Sequence, residues 1–375
     1  MLCTLKIKLV PSSDQHSLLL ETMKRFNSAC NYISRIAYSM NTTSKILLQK
    51  ECYYDVREKF GLSAQMVVRA IGKVAESYKV DRKAFHEFRD TGAIVYDDRI
   101  MTFKGLEAVS LMTLDGRILV PIVLGKYHHG MLGGNRVRGQ ADLVLHDGVF
   151  YLMLVVEAPE DPERFNGDYI GVDLGIVNVA VDSEGEIFSG SAINGVRYHN
   201  SKLRAKLQSK STKSAKRRLK NRSKKEQRFA RDVNHCISKR IVEKAKALGT
   251  GVALEDLKGI RKRTEKTVGK QQRYRQSSWA FFQLRQFIAY KAKIAGVPVA
   301  YVHPANTSRT CPECGYVSKE NRVSRNLFRC QACGYAAPAD NVAATNIRCR
   351  AVCQSAERGD GSSVTCKPPA LAVGY

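Results

Sequence analysis

The feature that most restricts the fold of this chain is a pair of Cys-x-x-Cys motifs. They are Cys311-Pro-Glu-Cys314 and Cys330-Gln-Ala-Cys333, they are separated by fifteen residues, and a Gly-Tyr pair follows each one. Glycine permits the tight backbone turn that such a knuckle needs. Two knuckles at this spacing can place four thiolates tetrahedrally around Zn²⁺. We therefore predict a structural zinc ribbon whose coordination positions are all filled by protein ligands.

The remaining cysteines do not suggest a disulfide framework. The chain has 11 cysteines in 375 residues, an odd number, and its start, "MLCTLKIKLV", lacks the pattern of a secretory signal. No stretch approaches the roughly 20 apolar residues of a membrane span. We therefore expect a soluble, intracellular protein with no membrane partner.

A strong excess of positive charge predicts a polyanionic partner. Lys and Arg number 61 against 35 acidic residues, a net charge of +26. Residues 202–231 contain one acid, Glu226, and a second basic run covers residues 258–278. A solvated helix normally mixes charge signs, so these runs favour binding to nucleic acid phosphates. Tyr274 and Trp279 are placed to stack on bases, although core packing explains Trp279 equally well.

The order of the apolar patterns predicts several domains. Residues 2–10 alternate as in a strand, helical periodicity runs to about Arg89, and short β-rich segments occupy residues 92–159. We expect the isolated first strand to pair with that β-rich region, so that the helices form an insert. A hairpin, a long basic helical region, two further strands and a short last helix follow from about Gly167.

Three acidic residues occur within or at the ends of apolar segments. They are Asp173 in "YIGVDLGIVNVAV", Glu255 in "GVALEDL" and Asp340 in "APADNVAATNI". Each alone is more typical of a helix cap or an ion pair, but together they would repel one another unless a divalent cation neutralised them. Two Mg²⁺ ions about 4 Å apart could then act on a phosphodiester. Asp256 is expected to face away from Glu255.

The order of these motifs resembles that of the TnpB family. Its members are transposon-encoded RNA-guided DNA endonucleases related to compact type V CRISPR effectors. The resemblance is specific from Tyr169 to Ile347 and includes "GVDLGIVNVAV", "DVNHCISKRIV", "VALEDLKGI" and the cysteine-rich segment. It implies that Asp173, Glu255 and Asp340 form a catalytic set that binds two Mg²⁺ ions. It implies the structural Zn²⁺ ligands Cys311, Cys314, Cys330 and Cys333.

The fold that this resemblance implies is multidomain α+β. An RNase H-like RuvC nuclease domain carries an inserted zinc ribbon, and an N-terminal β-barrel wedge domain is interrupted by a helical recognition domain. The implied boundaries are residues 1–11 and 92–166 for the wedge, 12–91 for the recognition domain, 167–309 and 337–350 for the nuclease domain, 310–336 for the ribbon and 351–375 for a disordered tail.

The activity implied by the resemblance is RNA-guided cutting of double-stranded DNA for a transposable element. A guide RNA would pair with the target, the protein would read a short adjacent DNA motif, and both the displaced single strand and the target strand would be hydrolysed with Mg²⁺. The resemblance further implies a monomer in the prokaryotic cytoplasm, associated with the nucleoid. Two alternatives are a guide-RNA-dependent DNA-binding repressor with little or no cleavage and an RNA-independent resolvase. The presence of all three acids favours the nuclease.

Overall fold

Two compact units make up the chain, Met1–Pro159 and Glu160–Tyr375. The computed structural model describes residues 1–133, 137–175, 177–256 and 281–360. Residues 160–166, which the sequence assigns to the first domain, hydrogen-bond within the second unit: the Asp161 amide donates to Ile294 O and the Asn166 amide to Gly249 O. In the described parts of the chain, no helix combines the length and apolarity needed to cross a bilayer.

An antiparallel sheet of seven strands, a nearly closed barrel, is the centre of the first unit, in the order β2-β6-β7-β1-β5-β4-β3. Its strands are β1 (Leu2–Leu9), β2 (Ile94–Asp97), β3 (Met101–Lys104), β4 (Ala108–Thr113), β5 (Gly116–Val123), β6 (Val137–His146) and β7 (Val149–Glu157). Strand β1 pairs with both β5 and β7. The expected pairing of the isolated first strand with the β-rich region is thus confirmed.

Three long helices lie between β1 and β2, and a short one follows β5. They are α1 (Ser13–Ser39), α2 (Lys45–Phe60), α3 (Ala64–Val80) and α4 (Lys126–Leu132). Ser12 starts α1 with a capping box, in which its hydroxyl accepts from the Gln15 amide and the Gln15 side chain accepts from the Ser12 amide. The apolar faces of α1 and α3 join one continuous core with the sheet, as the predicted helical insert requires.

The second unit contains a five-stranded sheet in the order β10-β9-β8-β11-β12. Its strands are β8 (Tyr169–Asp173), β9 (Asn178–Asp182), β10 (Ile187–Ser189), β11 (Gly251–Glu255) and β12 (Val299–Val302). Strands β8, β11 and β12 run parallel, whereas β9 and β10 are antiparallel to their neighbours. Because the ends of parallel neighbours meet at one edge, the last residues of β8 and β11 lie side by side.

Helices cover both faces of this sheet. They are α5 (Ser191–Ser209), α6 (Lys213–Leu248), α7 (Phe281–Ile294) and α8 (Ala339–Asp360). Ile170, Val172 and Leu254 pack in one core with residues of α6 and α7. On the opposite face, Tyr169 and Ala253 pack with residues of α8. Since side chains alternate along a strand, Asp173 and Glu255 belong to the face that α8 covers.

A close approach of α8 to β8 depends on Gly171. A Cβ atom at this position would lie 2.0 Å from Ala344 O and 2.5 Å from the Arg348 amide nitrogen. No side chain larger than hydrogen fits there without moving the helix, which explains the glycine in the middle of an otherwise apolar strand.

Three local expectations differ from the structure. Strand β8 ends at Asp173, so this acid terminates the strand instead of interrupting it. The sequence pattern places the start of the basic helical region at about Ser201, whereas the helices of this region begin at Ser191. Helix α8 is not short and continues to Asp360, because Ala351 and Val352 still have the sheet to pack against. The prediction of a disordered tail is therefore wrong for residues 351–360, and residues 361–375 lie outside the described range.

Replacing Gly171 should destabilise the second unit. We expect Gly171→Ala to cost about 3 kcal/mol, because the added methyl group overlaps backbone atoms of α8. The matched control is Gly195→Ala in α5, where nothing lies within 4 Å of the new Cβ and alanine favours the helix by about 1 kcal/mol. Thermal unfolding of both variants measures the difference. Equal melting temperatures would contradict the close packing.

Candidate functional site

The three predicted acids occupy neighbouring ends of three elements. Asp173 is the last residue of β8, Glu255 is the last residue of β11, and Asp340 lies in the first turn of α8. The parallel register pairs Val172 with Leu254, which puts the next residue of each strand, Asp173 and Glu255, at the same edge. The start of a helix favours negative charge because its free amides point toward it.

Electrostatics show that the three carboxyl groups influence one another. Burial, together with the negative charges of Glu255 and Asp340, raises the pKa of Asp173 to about 7. Burial also raises the pKa of Glu255, while the Thr307 hydroxyl and the Arg350 charge act in the opposite direction. Holding the ionised carboxylates close together therefore costs free energy. A bound divalent cation would reduce this cost because it neutralises their charge. Carboxylate oxygens are also the ligands that Mg²⁺ prefers.

Three further side chains contact these acids. Asn178 donates to Asp340 Oδ2 at 3.0 Å, and Thr307 donates to Glu255 Oε1 at 2.6 Å. Arg322, from the segment between the two knuckles, lies 3.9 Å from Asp340 Oδ1 and its charge lowers the pKa of Asp173. Nothing in the local sequence distinguishes these three side chains from ordinary loop or strand-end residues, so sequence patterns do not identify them.

Asp256 has different neighbours from Glu255. Its Oδ1 lies 3.3 Å from Arg285 Nη2 of α7, and its amide donates to Val302 O. Glu255 and Asp256 thus contact residues on opposite sides of the sheet, as the alternation of side chains along a strand predicts.

The four cysteines of the two knuckles form one cluster. Their four sulfur atoms all lie within 4.8 Å of one another. In the described part of the chain, these cysteines are the group of three or more candidate metal ligands that meets this distance. Cys311 Sγ lies 3.6 Å from Cys333 Sγ, and Cys314 Sγ lies 3.5 Å from Cys330 Sγ. The cluster could hold a metal such as zinc, whereas the three carboxyl groups are spaced more widely.

The two knuckles have the same backbone geometry. In the first, the Gly315 amide donates to Cys311 O; in the second, the Gly334 amide donates to Cys330 O. Both glycines have φ near +75° (74° and 77°), in the left-handed region that glycine enters freely. The short strands β13 (Leu327–Arg329) and β14 (Ala336–Pro338) complete this ribbon.

Helix α6 presents the basic surface that the sequence predicts. The following side chains of its first half are exposed: Lys213, Lys216, Arg217, Arg218, Lys220, Lys225 and Arg228. The acid of this run, Glu226, is bound by Arg204 of α5 at 2.6 Å. The whole of the second basic run, residues 258–278, lies outside the described residues, together with Tyr274 and Trp279.

His235, in the motif "DVNHCISKRIV", is a packed residue. Its ring stacks on Phe287 with centroids 4.0 Å apart, and its Nδ1 lies 3.5 Å from Tyr290 OH. Burial and the nearby charges of Lys291 and Arg231 lower the pKa of His235.

Two family models match parts of the chain. The model described as "Cas12f1-like, TNB domain" matches residues 281–347, and the model described as "Probable transposase" (OrfB_IS605) matches residues 153–261. Together they cover β8, β11, the cysteine cluster and the beginning of α8, and thus all three acids.

Curated relatives carry related names. The chain is 26% identical over 320 residues (80% of the chain, 58% of the relative) to the CRISPR-associated endodeoxyribonuclease Cas12f1 of Syntrophomonas palmitatica. It is 40% identical over 118 residues (31% and 42%) to a TnpB-like protein of Methanocaldococcus jannaschii. It is 30% identical over 201 residues (48% and 49%) to the putative RNA-guided DNA endonuclease InsQ of Escherichia coli. The chain therefore spans about half the length of these relatives.

Solved structures share the fold. The chain of a Cas12f1–sgRNA–target DNA complex aligns with a TM-score of 0.63 and 13% identity, covering 93% of this chain and 98% of that one. The mini-RNA-guided endonuclease Cas_phi3 aligns with a TM-score of 0.52 and 11% identity, covering 92% and 93%.

Loss of one cysteine should remove the metal from the ribbon. We expect Cys330→Ser to purify with at least tenfold less zinc, because three thiolates do not fill a tetrahedral structural site. The variant should also unfold at a lower temperature. The control is Cys236→Ser, an exposed cysteine of α6 outside the cluster. Elemental analysis measures zinc per chain, and full zinc content in Cys330→Ser would refute the assignment.

The raised pKa of Asp173 predicts a pH-dependent stability. Because the folded pKa of about 7 lies above the ordinary 3.8, the folded state binds this proton more tightly than the unfolded state. The stabilisation that protonated Asp173 contributes to the folded state is therefore complete below pH 3.8 and is lost as the pH rises through about 7. Without added Mg²⁺, the stability of Asp173→Asn relative to wild type should increase by up to ~2 kcal/mol from pH 5.5 to 8.

Thermal unfolding of zinc-loaded protein at both pH values measures this difference. The matched control is Asp256→Asn, whose carboxylate lies beside Arg285 and which should show no such growth. An advantage of Asp173→Asn that is the same at pH 5.5 and pH 8 would contradict the electrostatic description of the site.

Proposed function

Because this chain belongs to the TnpB and Cas12f family, we propose that it is an RNA-guided DNA endonuclease of a transposable element. The observation that carries the proposal is the position of the three acids: Asp173 and Glu255 end adjacent parallel strands, and Asp340 lies in the first turn of the helix that covers that face. The raised pKa of Asp173 agrees with this arrangement. The family-model matches include all three acids, and the relatives named above include a CRISPR-associated endodeoxyribonuclease and a putative RNA-guided DNA endonuclease.

The strand order of the second unit supports an RNase H-like nuclease domain of the RuvC type. Three strands in sequence form an antiparallel meander, and two parallel strands extend it beyond β8. We propose that residues 167–309 and 337–350 form this domain with residues 310–336 as the inserted zinc ribbon. Residues 1–11 and 92–166 would be the wedge, with residues 160–166 belonging to the second compact unit, and residues 12–91 would be the recognition domain.

Asp173, Glu255 and Asp340 would hold two Mg²⁺ ions, and Asp173 is influenced electrostatically by both other acids. When bound, the ions would neutralise the carboxylates, activate water and stabilise the leaving oxygen of the phosphodiester. Cys311, Cys314, Cys330 and Cys333 would hold structural Zn²⁺.

The chain's other residues would orient these ligands and hold the nucleic acid. Thr307 fixes one oxygen of Glu255, Asn178 fixes one of Asp340, and Arg322 adds a positive charge beside Asp340 where a phosphate could approach. The exposed basic side chains of α6 would contact the phosphates of guide RNA or DNA, including the displaced single strand. We propose a monomer acting at the prokaryotic nucleoid.

Charge-neutral replacement of the acids should separate binding from cutting. We expect Asp173→Ala and Glu255→Gln to lower cleavage at least 100-fold, because each removes a ligand for Mg²⁺, while guide-dependent DNA binding stays within about twofold. Asp256→Asn is the matched control for Glu255→Gln and should cut at the wild-type rate. Cleavage of a guide-matched duplex and gel-shift binding, both with the RNA that copurifies from the host, measure the two activities.

Each alternative gives a different result in this assay. Wild-type protein that binds the matched duplex but does not cut it in Mg²⁺ would support the guide-dependent repressor. Cutting without copurified RNA would support an RNA-independent resolvase. Mg²⁺-dependent cutting retained by Asp173→Ala would contradict the assignment of the site.

A further inference from the structure

Residues 303–310, which connect β12 to the first knuckle, are held by two side chains of α8. We call these residues the joining segment. Asn346 Nδ2 donates to Thr307 O at 2.7 Å and to Thr310 O at 2.8 Å. One turn later, Arg350 Nη1 donates to His303 O at 2.7 Å and to Ala305 O at 2.6 Å. Helix α8 thus fixes four carbonyl groups of a segment that has no regular secondary structure.

Within the joining segment, the Thr307 hydroxyl points at a proposed metal ligand. Thr307 is 3% exposed, and its Oγ1 lies 2.6 Å from Glu255 Oε1 and 3.2 Å from Pro304 O. A hydroxyl has one proton to donate, so the two oxygens compete for it. The shorter, charge-assisted bond to the carboxylate is the stronger one when Glu255 is ionised.

This bond restricts the rotation of the Glu255 carboxyl group. A carboxylate at the end of a strand would otherwise rotate about its last side-chain bonds, and each rotation would change the separation of the ligands. Hydrogen-bonded partners of this kind orient metal ligands and typically affect metal affinity 10- to 100-fold.

The same contacts connect two of the acids through the protein. Asp340 begins α8, and Asn346 and Arg350 lie farther along the same helix. From Asn346 the connection passes through the backbone of Thr307 to its hydroxyl and so to Glu255. A short series of hydrogen bonds therefore connects Glu255 on β11 with α8, the helix whose first turn contains Asp340.

We propose that Thr307 is a positioning residue that sets the affinity of the carboxylate site for divalent cations. The inference rests on the proposed function, because it assumes that Glu255 is a metal ligand. A purely structural role would predict a loss of stability with unchanged metal affinity. A positioning role predicts weaker metal binding in a protein that is folded and still carries zinc.

The test compares three variants of the full chain. Thr307→Val removes the hydroxyl and keeps the shape, whereas Thr307→Ser keeps the hydroxyl. Thr310→Val is the matched control, because it removes a hydroxyl bond of the same segment, to Asn306 O at 2.8 Å, that does not involve Glu255. Binding of Mn²⁺ to RNA-free, zinc-loaded protein is measured by electron paramagnetic resonance, with Asp173→Ala as the blank.

We expect Thr307→Val to bind Mn²⁺ about tenfold more weakly and to need about tenfold more Mg²⁺ for half-maximal cleavage. Thr307→Ser and Thr310→Val should stay within about twofold of wild type in both measurements. Zinc content and melting temperature confirm that each variant is folded. Wild-type Mn²⁺ affinity in folded Thr307→Val, or an equal loss in Thr310→Val, would overturn the inference.

The result separates this inference from the proposed function. Wild-type protein that neither binds Mn²⁺ more tightly than Asp173→Ala nor cuts DNA would refute the proposed function. Wild-type protein that does both, with Thr307→Val indistinguishable from it, would refute the positioning role alone.

Discussion

Repulsion between carboxylates that the fold holds side by side is the constraint on which the second unit depends. Asp173 and Glu255 end adjacent parallel strands on the face that α8 covers, and α8 itself begins with Asp340. Tight packing of α8 on Gly171 maintains this arrangement. The core therefore stabilises a group of charges that would separate in water, which is the usual relation between a rigid scaffold and a reactive site.

The cysteine ribbon also contributes contacts to the group of acids. It supplies Arg322 to the edge of the acid group, and the segment leading into it supplies Thr307. Asn346 then holds that segment to α8 through the carbonyl groups of Thr307 and Thr310. The cysteine cluster and the three acids are thus connected by a few polar contacts.

Periodicity and spacing predicted the features that depend on short stretches of sequence. The pairing of the first strand, the helices between β1 and β2, the clustering of four thiols and the opposite orientations of Glu255 and Asp256 follow from such patterns. The partners of the acids could not be predicted in this way. Asn178, Thr307 and Arg322 are polar loop or strand-end residues whose significance depends on tertiary contacts, and the continuation of α8 to Asp360 depends on the sheet beneath it.

The wide separation of the acids along the chain has a consequence during translation. Strands β8 and β11 are neighbours in space but are separated by α5 and α6, and α8 is made later still. A nascent chain still lacking α8 has neither the third acid nor the helix that packs on Gly171. The group of three acids is therefore incomplete while the ribosome is still making the chain, and it forms only once these late contacts form.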